Sequence, residues 1–226
     1  KNARASAKAF EGMGVRLVTL PCCVAISSDD STCWGSNDGA TTMEQGREMN
    51  DCLRQATLED AETLAAPGRR SFYQTFADFY SKATMERYLS DAFDLGRVQR
   101  ELACPQSRFW LLEEAGRSET GEAGKEREGV AKGPVAVGYL KLNWGEAQTD
   151  LSEHNGLEIE RIYLLAEAQG RGLGKMLYDK AITEAREQAR AFVWLGVWEN
   201  NHPAIAFYRS RGFVEVGTHS FQMGDV

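Results

Sequence analysis

Gln169-Gly-Arg-Gly-Leu-Gly-Lys175 decides the fold. It follows Leu157–Leu164, which reads as a strand, and it opens Gly172–Arg190, which reads as a helix. Along that helix Leu173, Leu177, Ala181 and Ala185 form a stripe at helical spacing, with Met176 and Ile182 beside it. Three alternating glycines let the backbone approach a ligand closely and take positive φ where needed. The first amides of a helix lack intrahelical acceptors, and its dipole favours negative charge there. Such a strand–glycine-turn–helix unit suits a pyrophosphate, with Arg171 and Lys175 adding positive charge. The plainer alternative is a tight turn whose glycines serve packing alone. Spacing excludes two other phosphate motifs. The P-loop needs Gly-x4-Gly-Lys-Ser/Thr, but Gln169 stands five before Gly174 and Met176 follows Lys175; Gly170, Gly172 and Gly174 also miss the Gly-x-Gly-x-x-Gly dinucleotide spacing.

Downstream, Phe192–Trp198 reads as a strand, Pro203–Arg211 as a helix and Phe213–Gln222 as a last strand. Upstream, Leu53–Ala56 is a short strand, and Thr57-Leu-Glu-Asp60 makes a capping-box-like start to two or three amphipathic helices over residues 58–103. Arg108–Leu112 and Val135–Trp144 are strand-like, and the Gly/Glu/Lys-rich Gly116–Gly133 between them reads as a surface loop. The alternation predicts a mixed α/β domain over residues 51–226. Residues 1–50 read as a poorly structured extension: Ser27–Gly46 is polar with little to bury, and the apolar Val15–Ile26 faintly resembles a targeting sequence but, with Pro21 and the paired cysteines inside it, makes a poor one.

The 226 residues carry a net charge of −7 with a pI near 5.2, which argues against a nucleic-acid partner. Of five cysteines, Cys22, Cys23 and Cys33 lie in the first stretch and Cys52 and Cys104 are isolated without metal-ligand spacing, a pattern that reads as reduced thiols in a cytoplasmic setting. No apolar run is long enough to span a bilayer. His154, His202 and His219 are scattered, which supports neither a metal site nor a Ser-His-Asp triad. Cys104 beside Pro105 reads as an incidental thiol.

Gln169-x-x-Gly172-x-Gly174 resembles the signature of the GNAT superfamily of acetyltransferases. Leu157–Leu164 is similar to its fourth strand, and Asn201-x-x-Ala204-x-x-x-Tyr208-x-x-x-Gly212-Phe213 to its later helix-and-strand motif. More narrowly, LEIERIYLL, GRGLGK, WLGVWENNHPAIAFY and GFVEVGTHSFQMGD look like the PaiA-type spermidine/spermine N-acetyltransferases. The resemblance spans roughly residues 52–226. It implies an α/β fold with a mixed, mostly antiparallel central sheet flanked by helices, and acetyl-coenzyme A as cosubstrate with no metal. The family fold carries a further strand after the one ending near Gln222. This chain stops at Val226, so the expected sheet is one strand short and the chain a candidate fragment.

The chemistry needs a proton acceptor, because an amine of pKa about 10 is almost fully protonated at neutral pH. Glu158 and Glu160, two apart on a strand, share a face; under strict alternation Ile162 and Leu164 follow them on it. Either glutamate matches a position where acetyltransferases carry a base, with Glu160 preferred, Glu158 second, and water an allowed relay; the plainer reading is two surface glutamates on an edge strand. The resemblance makes Tyr208 the general acid toward the leaving thiolate, where packing is the alternative. It makes Asn201 a partner of the pantetheine arm, where a helix N-cap is the alternative. It adds Ile162, Tyr163 and Leu164 as backbone partners of pantetheine, and Gln169, Gly170, Arg171, Gly172, Leu173, Gly174, Lys175, Ala204 and Tyr208 as coenzyme contacts. Trp198 and Glu199 are expected to border the acceptor. The expected partner is a small-molecule amine, polyamines first, with a homodimer left open. A protein N-terminus or lysine as acceptor, and a non-catalytic coenzyme A-binding module, are the competing readings.

Overall fold

The computed structural model describes residues 13–21, 53–115, 133–150 and 155–221. The loops expected at Ser27–Gly46 and Gly116–Gly133 lie outside these residues, apart from Gly133. Seven strands form one sheet: β1 Met13–Pro21, β2 Leu53–Gln55, β3 Ser107–Glu114, β4 Val135–Trp144, β5 Gly156–Leu164, β6 Phe192–Trp198 and β7 Val214–Phe221, in the order β2-β3-β4-β5-β6-β1-β7. Every neighbouring pair is antiparallel except β5 and β6. The sheet is therefore mixed and mostly antiparallel, as expected. Five α-helices accompany it among the described residues: α1 Ala61–Phe76, α2 Lys82–Ala92, α3 Leu95–Ala103, α4 Leu173–Glu187 and α5 His202–Arg209.

The parallel β5–β6 pair requires a crossover, which α4 supplies. Its predicted stripe is the buried one: Leu173, Leu177, Ala181 and Ala185 pack with Leu140, Leu142, Leu157 and Val193 of the sheet. On the opposite face α1 and α3 cover Phe109, Leu111 and Tyr139 with Ala61, Leu64 and Val98. Glu184 is buried on α4 because Arg108 and Lys180 pair with its carboxylate at 2.5 and 3.0 Å.

Two features differ from the sequence reading. Met13–Pro21, placed there in an extension, is an internal strand. It pairs with β6 from Val15↔Trp198 to Pro21↔Phe192 and with β7 from Met13↔Phe221 to Thr19↔Val214, so among the described residues β7 joins the sheet only through β1. Val18 packs in the main core and Leu17 is buried beside it, which explains why a short apolar run inside a polar region is ordered.

The second difference is a bulge in β5. Lys141 of β4 faces Arg161, while the next residue, Leu142, faces Ile159, so Glu160 is the extra residue. Strict alternation therefore fails: Ile162 and Leu164 do not follow the glutamates on one face. Leu157, Ile159, Ile162 and Leu164 pack with α4, whereas Tyr163 packs on the α1 side. Glu158 and Glu160 bond Asn143, and Arg161 bonds Glu101 of α3. The bulge gathers Glu158, Glu160, Arg161 and Tyr163 on the α1–α3 face. Nor is β5 an edge strand, since β4 and β6 flank it.

Candidate functional site

Strands β5 and β6 pair over three positions only, Gly156↔Phe192, Leu157↔Val193 and Glu158↔Trp194. Beyond that vertex they part, and a cleft of about 790 Å³ opens between 159–164 of β5 and 195–198 of β6. Phe72 and Phe76 of α1, Tyr88 of α2, and Asn201, Ala204 and Tyr208 around α5 complete its walls. β5 keeps β4 and β6 keeps β1 on their outer edges, so the parted inner edges present backbone groups to the cleft, as an added strand would require. Ile162, Tyr163 and Leu164 lie on that edge. The Leu164 carbonyl already accepts from Ser71 Oγ at 3.3 Å and Gln169 Nε2 at 3.2 Å, which ties the strand end to α1 and to the glycine turn.

That turn stands where β5 runs out. Gly172 is the N-cap of α4 with φ +83°, and Gly170 has φ +73°, so two of the three glycines hold a left-handed backbone. A Cβ built on Gly170, Gly172 or Gly174 would meet nothing within 4 Å. The turn is therefore open on its outer side, and its glycines do not serve packing. Among the described residues, no acceptor is bonded to the amides from Gly170 to Lys175; the first inward bond is Met176 N to the Gly172 carbonyl at 3.2 Å. Arg171 pairs with Glu114 at 2.7 Å and Lys175 with Asp179 at 2.5 Å, both well exposed. Free amides, a helix N-terminus and two cations around open space fit a diphosphate.

The two glutamates have different surroundings. Glu160 sits in a four-charge cluster: Lys141 lies 2.5 Å and Arg161 2.8 Å from its oxygens, the same two cations reach Glu101 at 2.9 and 3.0 Å, and Asn143 Nδ2 donates to Glu160 at 2.6 Å. Its charge is compensated and its lone pairs are occupied. Glu158, only 2% exposed, has no cation within ion-pair distance among the described residues. It accepts from Asn143 Nδ2 at 3.1 Å, from Thr149 N at 2.9 Å and from the Thr149 hydroxyl. Burial pushes its pKa above the ordinary carboxylate value, and the neighbouring Glu160 adds to the rise; the Thr149 and Asn143 donors pull against it.

Tyr208 lines the cleft, with its ring packed edge-on to Phe207 and tilted to Phe213. Burial raises its pKa, so the phenol stays protonated at neutral pH. Asn201 caps α5, its Oδ1 accepting from Ala204 N at 3.2 Å, and it also lines the cleft. Trp198 lines the cleft too, its ring 5.3 Å from Phe76 and 4.6 Å from Phe79. Glu199 is exposed in the following turn and is not brought to the cleft wall. Cys104 is a half-buried free thiol at the end of α3, away from the cleft lining.

Several site residues were missed by sequence reasoning. Asn143 and Lys141 sit on β4, Thr149 in the turn after it, and Glu101 and Arg97 on α3. Their signal was weak: alternating polar Lys141 and Asn143 inside an otherwise apolar β4 hint at buried partners, but nothing local names them. Among the described residues, no group of three or more His, Cys, Asp or Glu could hold a metal ion, and no helix is long and apolar enough to cross a membrane.

Comparison with known proteins agrees with this geometry. Residues 70–213 match the model of the acetyltransferase (GNAT) family. An uncharacterized N-acetyltransferase in the pepI 3' region of Lactobacillus delbrueckii subsp. lactis is 37% identical over 171 residues, covering 76% of this chain and 88% of that protein. The spermidine N(1)-acetyltransferase of Thermoplasma acidophilum is 23% identical over 71% of this chain and 86% of its own length. A crystal structure of a PaiA N-acetyltransferase from Thermoplasma acidophilum in complex with coenzyme A shares the fold. Its TM-score is 0.54 at 19% identity, and the match covers 75% of this chain and 98% of that one.

Proposed function

The chain belongs to the acetyltransferase (GNAT) family and is an acetyl-coenzyme A-dependent acyltransferase acting on an amine; from that premise we propose that its acceptor is a small primary amine and that Glu158 and Tyr208 handle the protons. One observation carries the reading: the parted β5 and β6 strands run from a buried carboxylate that has no cationic partner among the described residues, at their vertex, to a turn whose amides have no acceptor among the described residues, at the mouth. Acetyl-coenzyme A supplies an acetyl group activated as a thioester. The amides of Gly170–Lys175 bind its diphosphate, with Gln169, Arg171 and Lys175 around them. The backbone edge of Ile162, Tyr163 and Leu164, together with Asn201 and Ala204, orients the arm within the cleft.

Glu158 attracts the acceptor ammonium and takes its proton, directly or through one water, freeing the nitrogen lone pair. A carboxylate raised by burial is better matched to this task near neutral pH than an ordinary one. Glu160 is reassigned to positioning, since Lys141 and Arg161 already occupy it. The freed nitrogen attacks the thioester carbonyl; as the C–N bond forms the C–S bond breaks, the Tyr208 hydroxyl donates its proton to the departing sulfur, and the surplus proton on the acylated nitrogen returns through water to the phenolate. Trp198 borders the acceptor. Polyamines enter as the first acceptor class through the resemblance and through the name of the Thermoplasma relative.

The test is thiol release from acetyl-coenzyme A with a panel of small amines, run on the parent, Glu158→Gln and Glu160→Gln. The expected result is turnover by the parent and loss of about a hundredfold or more in kcat/KM for Glu158→Gln. A Glu158→Gln enzyme as active as the parent, or no small amine acetylated, overturns the proposal.

A further inference from the structure

Three strands place one polar residue each in a row that ends on the base. Ser107 of β3 faces Asn143 of β4, and Asn143 faces Glu158 of β5. The row is buried at its inner end, where Asn143 is 1% and Glu158 2% exposed. Ser107 Oγ donates to Asn143 Oδ1 at 2.8 Å, and Asn143 Nδ2 donates to Glu158 at 3.1 Å and to Glu160 at 2.6 Å. An amide nitrogen carries two protons, so each carboxylate receives one. The bulge in β5 permits this division, because it turns Glu160 to the side that Glu158 already occupies.

The amide has one workable orientation. Rotated by half a turn, it would aim its oxygen at two carboxylates and take a donor from each. The Ser107 hydroxyl holds that oxygen on the far side. The charges packed around the pair come from three elements. Lys141 of β4 and Arg161 of β5 both pair with Glu160 and with Glu101 of α3, and Arg97 of α3 pairs with Glu101. Burial raises the phenols of Tyr88, Tyr139 and Tyr163 beside Arg161, so they stay neutral, and β6 presents Trp194 opposite Glu158. The bonds from Asn143 favour the ionised form of Glu158, while the charge of Glu160 opposes it.

We propose that Asn143 is a positioning residue for acetyl transfer: anchored by Ser107, it holds the Glu158 carboxylate at the strand vertex in its proton-accepting form and ties it to Glu160. The inference rests on Glu158 being the base. It gives β3 and β4, which stand behind the cleft, a part in the chemistry of β5.

The acid limb of kcat/KM tests it, read by thiol release with the fastest of spermidine, n-butylamine and phenethylamine. The acceptor's own titration is common to every variant and cancels. In Asn143→Leu the limb should move up by about one pH unit or more, the tenfold change in ionisation that one hydrogen bond to a charged group supports. Below the limb kcat/KM then falls about tenfold, and above it recovers to within about threefold of the parent. Ser107→Ala, which deletes one half-buried hydroxyl, should move the limb the same way by less than a unit. Glu160→Gln should move it down, because a neighbouring negative charge is gone. Losses that are equal at every pH, with the limb in place, are what damaged packing gives, and they overturn the inference. A shift in Asn143→Leu with none in Ser107→Ala overturns the anchoring by Ser107. If Asn143→Leu does not fold, the opposite shifts in Ser107→Ala and Glu160→Gln decide, and the absence of either overturns the inference. Glu158→Gln separates the two levels: as active as the parent, it removes the base and this inference together. An inactive Glu158→Gln beside unmoved limbs in the other variants overturns the inference alone.

Discussion

Replacing Gly172 and Gly174 one at a time by alanine separates the shape of the turn from its packing. Neither substitution creates a clash, because a Cβ at either position meets nothing within 4 Å. Gly172 holds φ +83°, a left-handed conformation that costs an alanine about 1–2 kcal/mol. In a domain of this size that should lower Tm by about 2–8 °C. Gly174 has no positive φ and sits in the first turn of α4, so alanine there should be neutral or stabilise by up to about 1 kcal/mol. Coenzyme A affinity should diverge too. If the Gly172→Ala backbone relaxes to negative φ, the following amides rotate away from the open side, and losing even one charge-assisted hydrogen bond of about 1.5–3 kcal/mol weakens binding by about tenfold or more. Gly174→Ala should stay within about threefold of the parent, since it leaves the backbone course unchanged. Thermal melts and calorimetric titration with coenzyme A measure both quantities. A Gly172→Ala protein that melts as the parent does, its backbone having relaxed without strain, and still binds coenzyme A as tightly would refute the reasoning, because the left-handed turn would then not hold the nucleotide.

Three further expectations concern protons and the sheet. Tyr208→Phe should reduce turnover by about a hundredfold or more while coenzyme A affinity changes little; equal losses in both would reduce the residue to packing. In Thr149→Val, Glu158 loses a donor that stabilises its charged form, so its already raised pKa rises further. The base must be ionised to act, so the acid limb of kcat/KM should move to higher pH, and a limb that stays put would remove Glu158 from the base role. Val18→Asp places a charge in the core between β6 and β7 and should cost about 3 kcal/mol or more, with amides of 214–221 losing protection from hydrogen exchange. Protection unchanged over those residues would show that β7 is held by something other than β1.

Much of the fold could be read from local pattern. The stripe of α4, the strands flanking it and the glycine turn are short-range features whose physics is complete within one strand–turn–helix unit. The three alternating glycines allow positive φ, and Gly170 and Gly172 take it. The bulge could not be read, because Glu158-x-Glu160 fits an uninterrupted strand and only the register against Lys141 and Leu142 reveals the extra residue. That one residue underlies the proposal of Glu158 over Glu160 as the base. It set Glu160 among Lys141, Arg161 and Glu101, whose positions on three separate elements leave no trace in spacing. Strand β1 was missed for a related reason: its hydrophobic run is short, and both of its partners lie at the far end of the chain.

Among the described strands, the one synthesised first, Met13–Pro21, belongs between the two synthesised last, Phe192–Trp198 and Val214–Phe221. Until Trp198 and Phe221 have emerged, Leu17 and Val18 have no ladder to enter and must wait as an apolar, edge-exposed segment. Closing so distant a contact is entropically slow, which makes the docking of this segment the natural late event of folding, and makes chaperone binding near residues 13–21 its natural rival.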